Sequence, residues 1–245
     1  MPFFSTTWDD PAFRRSRVEQ SIYAFSCVPA KYRTEGLCDL AVSKYGPALE
    51  YVPEKLKTRR ICHTAVVNDG RALEFVPMKL RSMELCHRAV YTDGEALRWV
   101  PPRLRSKELC LLALQNEEHY PVLGEVPPAY VDRDLCMTAV TNCGMNLRDV
   151  PLLLLDRELC LAAVNRDGRA LKYVPGALCD AQIARTAVEN NPEALEYVPE
   201  SLITLDICRD AVNRHWEAVE FVPAELMRQL ELEAEEAAAQ AISPC

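Results

Sequence analysis

The chain has 245 residues, of which 49% are hydrophobic and 26% are charged, and its formal net charge at pH 7 is −8. These proportions are ordinary for a folded soluble protein, and they exclude disordered, collagen-like and mucin-like chains. The longest uninterrupted apolar runs, such as that from Leu109 to Leu114, reach six residues and are far shorter than a membrane span. We therefore expect a protein that is soluble and not transmembrane.

The first twenty residues contain no apolar core of the kind that a secretory signal has, and Asp9 and Asp10 are poorly suited to an organelle transit peptide. We expect an intracellular, reducing compartment, either cytoplasm or organelle interior, with a processed precursor as the alternative. Residues 1–25 nevertheless carry the aromatic residues Phe3, Phe4, Trp8 and Phe13. This composition predicts an N-terminal arm or cap that docks on the first repeat or on a partner.

A repeat with a period of 24 residues fills most of the chain. The dipeptide Val-Pro marks each copy, and its valines are Val28, Val52, Val76, Val100, Val126, Val150, Val174, Val198 and Val222. Seven of the eight intervals are 24 residues, and the interval from Val100 to Val126 is 26. A fixed period over this length is typical of a stacked repeat array.

Each copy begins its helix with a residue whose side-chain oxygen can cap the first turn. These residues are Thr34, Thr58, Ser82, Ser106, Asp132, Asp156, Asp180 and Thr204. Apolar residues follow at helical spacing and predict one α-helix of roughly ten residues per repeat. A glycine such as Gly70 is then expected to end the helix in the left-handed conformation. A short helical or 3₁₀ segment should come next, bent at Val-Pro.

These elements predict an all-α protein, an α-solenoid of about eight 24-residue helical repeats over residues 26–226. The segment from Pro223 to Ala241 is rich in glutamate and alanine. Residues 227–245 are therefore predicted to form an acidic C-terminal capping helix and tail, since a solenoid needs a polar terminal face. A contact with a partner is the alternative role of this helix.

The repeat resembles a family known as domain of unknown function 4116. The likeness is carried by stretches such as ELCHRAVYTDGEALRWVPPRLRSKELC, from Glu84 to Cys110, and it extends over roughly Cys27 to Leu226. The period is also similar, more loosely, to that of the leucine-rich variant repeat, a solenoid of α and 3₁₀ helices. Neither resemblance implies a catalytic activity. Both imply a helical stack, and the first implies a recognition module.

Seven cysteines occupy one column of the repeat: Cys38, Cys62, Cys86, Cys110, Cys136, Cys160 and Cys208. Stacked helices hold equivalent Cα atoms farther apart than the ~7 Å that a disulfide allows. The eighth copy has Ala184 in this column, so we expect small core residues here and no metal or redox site. His63 and His87 each follow a column cysteine and are expected at the surface, because neighbouring helix residues point in different directions.

An aromatic residue precedes most of the Val-Pro pairs: Tyr51, Phe75, Trp99, Tyr173, Tyr197 and Phe221. We favour packing between repeats for this column. An exposed series of rings that could stack nucleic-acid bases is the alternative. Glu125 and Asp149 interrupt the column beside the 26-residue interval, where a local change in the stack is expected.

The third and fifth residues after each valine divide the chain into two halves. In the first half all eight of these positions are basic, whereas in the second half they are mostly apolar. Equivalent positions should have equivalent surroundings in a solenoid, so structural need does not explain both sets. We interpret them as partner-binding residues, with a solvated edge as the alternative. The basic set is Lys55, Lys57, Lys79, Arg81, Arg103 and Arg105, and the apolar set is Val131, Leu153, Leu155 and Ile203.

The sequence as a whole favours a non-enzymatic protein–protein interaction scaffold, an accessory or structural subunit of a larger assembly. No catalytic residue, cofactor, metal site or small-molecule substrate is predicted. One alternative is binding of nucleic acid or another polyanion through the basic residues, which the acidic net charge disfavours. A second is an enzyme with its site in the irregular residues 115–125, around Glu118 and His119.

Overall fold

The computed structural model describes residues 8–21, 23–117 and 119–242, and within these ranges all regular secondary structure is helical. Phe3, Phe4, Glu118 and Cys245 lie outside the described residues. Eight of the α-helices have ten residues and recur with the repeat, as the sequence predicts. The α-helices are α1 Pro11–Gln20, α2 Ala24–Cys27, α3 Glu35–Lys44, α4 Arg59–Asn68, α5 Met83–Thr92, α6 Lys107–Asn116, α7 Arg133–Asn142, α8 Arg157–Arg166, α9 Ala181–Asn190, α10 Leu205–Arg214 and α11 Ala224–Ile242.

The eight predicted capping residues all cap the helices α3 to α10. In α5, for example, the Ser82 hydroxyl accepts a hydrogen bond from the Leu85 amide at 3.2 Å. The helix then buries one face that includes Leu85, Cys86 and Ala89. Because a cap satisfies an amide that has no partner within the helix, every repeat begins its helix at the same register.

The helices are joined by 3₁₀ segments, which confirms the predicted second part of each repeat. Six-residue 3₁₀ helices are Gly46–Tyr51, Gly70–Phe75, Gly94–Trp99, Gly144–Asp149, Gly168–Tyr173, Pro192–Tyr197 and Trp216–Phe221. The residue that follows the last residue of each of these helices is the valine of Val-Pro. Three-residue 3₁₀ helices are Ala30–Tyr32, Glu54–Leu56, Met78–Leu80, Pro102–Leu104, Leu123–Glu125, Pro128–Tyr130, Leu152–Leu154 and Glu200–Leu202.

The glycine column does not work as the sequence suggested. No described glycine has a positive φ, so the predicted left-handed helix end is wrong. Gly70 instead opens a 3₁₀ helix, and a Cβ added to it would lie 2.3 Å from the Ala89 carbonyl oxygen of the next repeat. Glycine is therefore required by the close approach of two backbones between repeats.

The chain forms two compact units. Unit 1 comprises Met1–Glu118 and Glu125–Tyr130, and unit 2 comprises His119–Gly124 and Val131–Cys245. Within unit 1, helices α3 to α6 stack in order and α1 packs on α2 and α3. Within unit 2, helices α7 to α10 stack in order and α11 packs on α10. The boundaries predicted at residues 25 and 226 stay predictions.

The described part of segment 1–25 lies on the first repeat of unit 1. Trp8 and Phe13 make an edge-to-face contact with ring centroids 5.6 Å apart. The Arg14 guanidinium lies 4.7 Å from the centre of the Tyr32 ring, and the Tyr32 hydroxyl donates to Asp9. Val18 of α1 is buried. These contacts hold the described part of the segment against the repeats.

Asn146 replaces the alanine of its column for a reason that lies within unit 2. Its side chain is 1% exposed, and both ends of its amide are bonded. The Oδ1 atom accepts from the Leu123 amide at 2.9 Å, and Nδ2 donates to the Ala139 carbonyl at 3.0 Å. The 3₁₀ segment at Leu123 has three residues where other repeats have six. Asn146 therefore satisfies a buried amide in the irregular copy.

The cysteine column is buried, as expected for core residues. The side chains of all seven cysteines are inaccessible, and burial raises the pKa of thiols such as Cys62 and Cys86 to about 11. They therefore stay protonated at neutral pH. In the part of the chain that the structure describes, no group of three or more histidine, cysteine or acidic side chains could hold a metal ion.

Candidate functional site

The two columns of predicted partner-binding residues have different exposures in the structure. The third residue after each valine is exposed in the basic half, at Lys31, Lys55, Lys79 and Arg103. The fifth residue, at Arg33, Lys57, Arg81 and Arg105, is only partly exposed. The fifth column is therefore less accessible to a partner than the third, and the partner-binding role of both columns stays a prediction.

The fifth-column arginines bind backbone carbonyls inside unit 1. Arg81 donates to the carbonyls of Val76 at 2.9 Å and Glu74 at 2.9 Å in its own repeat, and to that of Trp99 at 2.5 Å in the next. The guanidinium thereby caps the ends of two successive 3₁₀ helices, where unbonded carbonyls favour a cation. Burial lowers the pKa of Arg81, consistent with its withdrawal from water.

Arg33 and Arg105 repeat this arrangement. Arg33 donates to Val28 at 2.8 Å and to Tyr51 of the next repeat at 2.6 Å. Arg105 donates to Val100 at 2.9 Å and to the Glu125 carbonyl. We call Arg33, Arg81 and Arg105 the arginine clasp. Lys57 holds the same position, and its side chain is 8% exposed and pairs with Glu54 at 2.6 Å.

A groove of about 710 Å³ runs across three successive repeats of unit 1. It is bounded by the first turns of α4 and α5 and by the 3₁₀ helices Met78–Leu80 and Pro102–Leu104. Its charged lining consists of Arg59, Arg60, Lys79, Arg81, Arg103 and a single acid, Glu84. The groove thus gathers Lys79, Arg81 and Arg103 from the predicted set, but it does not include Lys55, Lys57 or Arg105.

Two of the five cations are already engaged. Arg60 lies 2.7 Å from Asp39 and 3.1 Å from Glu35, and hydrogen bonds with these two acids raise the pKa of its guanidinium. Arg81 belongs to the arginine clasp. Among the described residues, Arg59, Lys79 and Arg103 have no acid within 4.0 Å. We call Arg59, Lys79 and Arg103 the groove cations.

The same groove exposes two methionines and a histidine. Met78 is 58% exposed and Met83 is 47% exposed. Flexible thioethers of this kind adapt to varied apolar side chains. His63 lines the groove as well, and His87 lies with it in an adjoining cleft, so both histidines are at the surface as predicted. The groove offers positive charge beside apolar contact, and sequence reasoning missed Arg59, Met78 and Met83 because they lie outside the two basic columns.

The predicted apolar set in unit 2 is not one exposed strip. Leu153 is 99% exposed, but Val131, Leu155 and Ile203 are partly buried, because the fifth position faces inward as it does in unit 1. Leu153 instead has an exposed apolar neighbour outside the predicted set, Leu152, which is 81% exposed. The run of four leucines in PLLLLD, from Pro151 to Asp156, was the feature of the sequence that could have pointed to Leu152.

The aromatic column lies at the border between core and surface. Tyr51 is 38% exposed and Tyr197 is 36% exposed, and the other four rings are partly buried. Cations rest on some of these rings: the Arg98 guanidinium lies 5.7 Å from the centre of Trp99. The rings therefore neither form a closed core nor stand free in solvent.

In the region of the alternative enzyme site, Glu117 is buried and accepts a hydrogen bond from the Glu95 amide at 3.2 Å. His119 and Tyr120 are exposed, and Glu118 is outside the described residues. The enzyme alternative stays untested.

The fold and these surfaces define an all-α tandem-repeat protein. Residues 132–179 and 180–227 each match the family model described as domain of unknown function (DUF4116). Each matched segment covers two 24-residue repeats and starts at a capping aspartate, Asp132 or Asp180. The predicted resemblance is confirmed for these two segments, which lie in unit 2.

Searches of curated proteins and of solved structures found no match to the chain. Among the described residues, no helix has the length and apolarity needed to cross a membrane.

Proposed function

We propose that this protein is a non-enzymatic scaffold, a subunit or accessory of a larger assembly, that binds an acidic segment of a partner protein in the groove of unit 1. The observation that carries the proposal is the set of groove cations, Arg59, Lys79 and Arg103, which lack internal acids and surround two exposed methionines. Carboxylates of a partner would meet the three cations, while its apolar side chains would contact Met78 and Met83.

The chemistry favours a protein partner over a nucleic acid. Nucleic-acid sites usually combine many phosphate-binding cations with rings on which bases stack. This groove has three available cations, and its described lining contains no phenylalanine, tyrosine or tryptophan, so His63 is the one ring beside them. Exposed thioethers are typical of surfaces that bind peptides. The predicted polyanion alternative thus becomes an outcome of the test.

The test compares three forms of the protein, each purified with its associated chains from its natural source. One is the natural protein. The second carries Arg59→Glu, Lys79→Glu and Arg103→Glu. The third carries the same charge change at the exposed residues Arg17, Arg185 and Arg228, which have no acid within 4.0 Å among the described residues. Native mass and mass spectrometry then identify what remains bound.

We expect partner chains to co-purify with the natural protein and with the control variant at Arg17, Arg185 and Arg228. The same chains should be missing from the groove variant. A labelled peptide of alternating glutamate and leucine should show the same order of affinity, with a fall of about tenfold or more for the groove variant, from three pairs of about 0.5–1 kcal/mol each. A monomer of 27.6 kDa without partners, or equal binding by all forms, would contradict the proposal. Retained nucleic acid whose binding falls steeply with salt would favour the polyanion alternative.

A further inference from the structure

A second groove, of about 520 Å³, lies entirely within unit 2. Its lining comes from four successive six-residue 3₁₀ helices, which begin at Gly144, Gly168, Pro192 and Trp216. None of its lining residues belongs to the surface proposed above, so this groove is an independent site.

Aromatic rings form one part of this groove. Trp216 is 74% exposed and Tyr197 is 36% exposed, and Phe221 is partly buried beside them. Trp216 occupies the column that is glycine in five other copies. A tryptophan is the largest side chain available, and one this exposed contributes little to the stability of the fold. Large exposed rings of this kind are enriched where proteins make contacts.

Acidic side chains form the other part, and they outnumber the cations. Glu193, Glu196, Glu217 and Glu220 face two cations, Arg169 and Lys172. Within the described residues, none of the four glutamates has an arginine or lysine within 4.0 Å, and Glu217 lies 3.8 Å from His215. The groove thus has excess negative charge.

Both cations of the groove already contact groups of the protein itself. Arg169 pairs with Asp167 at 2.9 Å, and hydrogen bonds with Asp167 raise the pKa of Arg169. The Lys172 ammonium lies 5.8 Å from the centre of the Tyr173 ring and 6.0 Å from that of Tyr197. These distances are those of cation–π contacts. One wall of the groove therefore already holds an ammonium group against rings.

Two copies of unit 1 carry a cation at one of the matching positions, and that cation is paired within the unit. There Arg98 pairs with Glu95 at 2.7 Å, and Arg71 pairs with Asp69 at 3.2 Å and lies 3.2 Å from Asp93. In the last two repeats of unit 2 both of these positions are glutamate: Glu193 with Glu196, and Glu217 with Glu220. Glutamate at both positions is therefore specific to these two copies of the repeat.

We propose that this groove binds a lysine- or arginine-rich segment of a partner protein. A cationic side chain lies against Trp216 and Tyr197, and Glu196 and Glu220 supply the opposite charge. The exposed rings offer cation–π contacts to a lysine or arginine side chain. The glutamates have no arginine or lysine of the described residues within 4.0 Å, so their negative charge favours a positively charged partner segment.

The test measures binding of a fluorescein-labelled peptide of eight alternating lysines and glycines by fluorescence anisotropy. The protein is the full chain with Glu196→Gln, Glu217→Gln and Glu220→Gln, or with Trp216→Ala alone. The matched control carries Glu225→Gln, Glu231→Gln and Glu235→Gln on α11, which are exposed and remove the same charge from the same unit. All changes are at exposed or solvent-facing side chains, and circular dichroism confirms folding.

We expect the groove variant to bind at least tenfold more weakly than the natural protein, and Trp216→Ala to bind about threefold to tenfold more weakly. The α11 control should change the affinity less than threefold. An equal loss in the groove variant and the α11 control would show general attraction to an acidic protein and would overturn the proposal. Unchanged affinity in Trp216→Ala would also overturn it, because the rings would then play no part.

A second copy of the chain is the competing occupant, and sedimentation without peptide distinguishes it. Self-association that disappears in the groove variant would assign the groove to a second copy and overturn the peptide proposal. The groove cations of unit 1 are unchanged in every variant of this test. Its failure therefore leaves the proposed function of unit 1 untouched.

Discussion

In unit 1 the fifth residue after the Val-Pro valine is a cation, and in three of the four copies it is an arginine that binds backbone carbonyls. In unit 2 the same position is apolar, and two of the helices, α7 and α8, begin with an arginine instead. Arg133 of α7 donates to Asp156 at 2.8 Å and also to Glu158. Arg157 of α8 donates to Asp180 at 2.6 Å and to Gln182 at 2.6 Å. Arg133 and Arg157 thus tie each helix to the next, and we call them the carboxylate clasp.

The backbone conformation at the fifth position also differs between the two units. In unit 1, Arg81 has φ −75° and ψ 81°, and the Ser82 amide donates to the Leu80 carbonyl at 2.9 Å. In unit 2, Leu155 has φ −68° and ψ 123°. The caps differ too, since the aspartates of unit 2 accept at 2.8–2.9 Å and the serines of unit 1 at 3.2 Å. A carboxylate is the stronger acceptor.

The difference shows that neighbouring repeats can be linked in two ways, by the arginine clasp or by the carboxylate clasp. The assumption that equivalent positions in a repeat array have equivalent surroundings was therefore wrong, because the fifth position binds carbonyls of the next repeat in unit 1 and holds an apolar side chain in unit 2. Three of the basic residues of unit 1, the arginine clasp, donate hydrogen bonds to backbone carbonyls of the unit itself. Within the groove, the cations left for a partner are the groove cations.

The largest expected effect is on the close contact that both units share. We predict that Gly70→Ala in unit 1 and Gly168→Ala in unit 2 each lower the free energy of unfolding by about 3 kcal/mol or more. The new Cβ would lie 2.3 Å and 2.2 Å from a carbonyl oxygen of the next repeat. Denaturant unfolding measures the loss. Gly176→Ala, with no atom within 4 Å, is the control, and equal stability of all three variants would contradict the steric argument.

The two clasps should differ in strength. Arg81→Met leaves three carbonyls without their cation, and we predict a loss of about 2–3 kcal/mol of unfolding free energy. Arg133→Met breaks ion pairs whose side chains are 40–73% exposed, and we predict a loss below about 1 kcal/mol. Chemical denaturation of both variants measures the difference. Arg105→Met and Arg157→Met form a second matched pair, and a larger loss in the unit 2 variants would reverse the comparison.

The smallest expected effect is a difference in response to acid. A hydrogen bond from Ile183, followed by one from Arg157, lowers the pKa of Asp180 below its ordinary 3.8, so its stabilising effect is present above that value and is lost as the pH falls through the lowered pKa. Burial raises the pKa of Asp93 in unit 1, so acid removes an unfavourable charge there. We predict that acidification from pH 6 to pH 3 weakens protection of α9 amides more than of α5 amides.

Hydrogen exchange corrected for intrinsic rates measures this response region by region. Asp180→Asn keeps a side-chain acceptor at the cap and cannot titrate, so it should abolish most of the loss in α9. Equal loss of protection in α5 and α9 of the natural protein would show that the aspartate caps do not determine the response.

Several features of the fold could be predicted because they repeat. The capping residues and the apolar columns recur in every copy, so each copy supports the same helix boundaries. The glycine column was also recognised, but its reason was not, since a clash with the Ala89 carbonyl involves a residue 19 positions away in sequence and becomes visible only when repeats stack.

The site was predicted less well than the fold. Lys79 and Arg103 were found because they are basic and lie in an exposed column. Arg81 and Arg105 share that charge, but their carbonyl partners are backbone atoms that leave no mark in the sequence. Trp216 and the four glutamates of the second groove were not predicted as binding residues, because they depart from the repeat and no column of the repeat points to them.

The amino-acid sequence by itself determined that this is an all-α repeat protein and where each helix begins, because caps and periodic apolar residues act locally and eight copies report them together. Only the tertiary structure decided which cations are available to a partner. An arginine side chain is long enough to reach a neighbouring repeat, so its partner depends on how the repeats stack, as the contact of Arg81 with Trp99 shows.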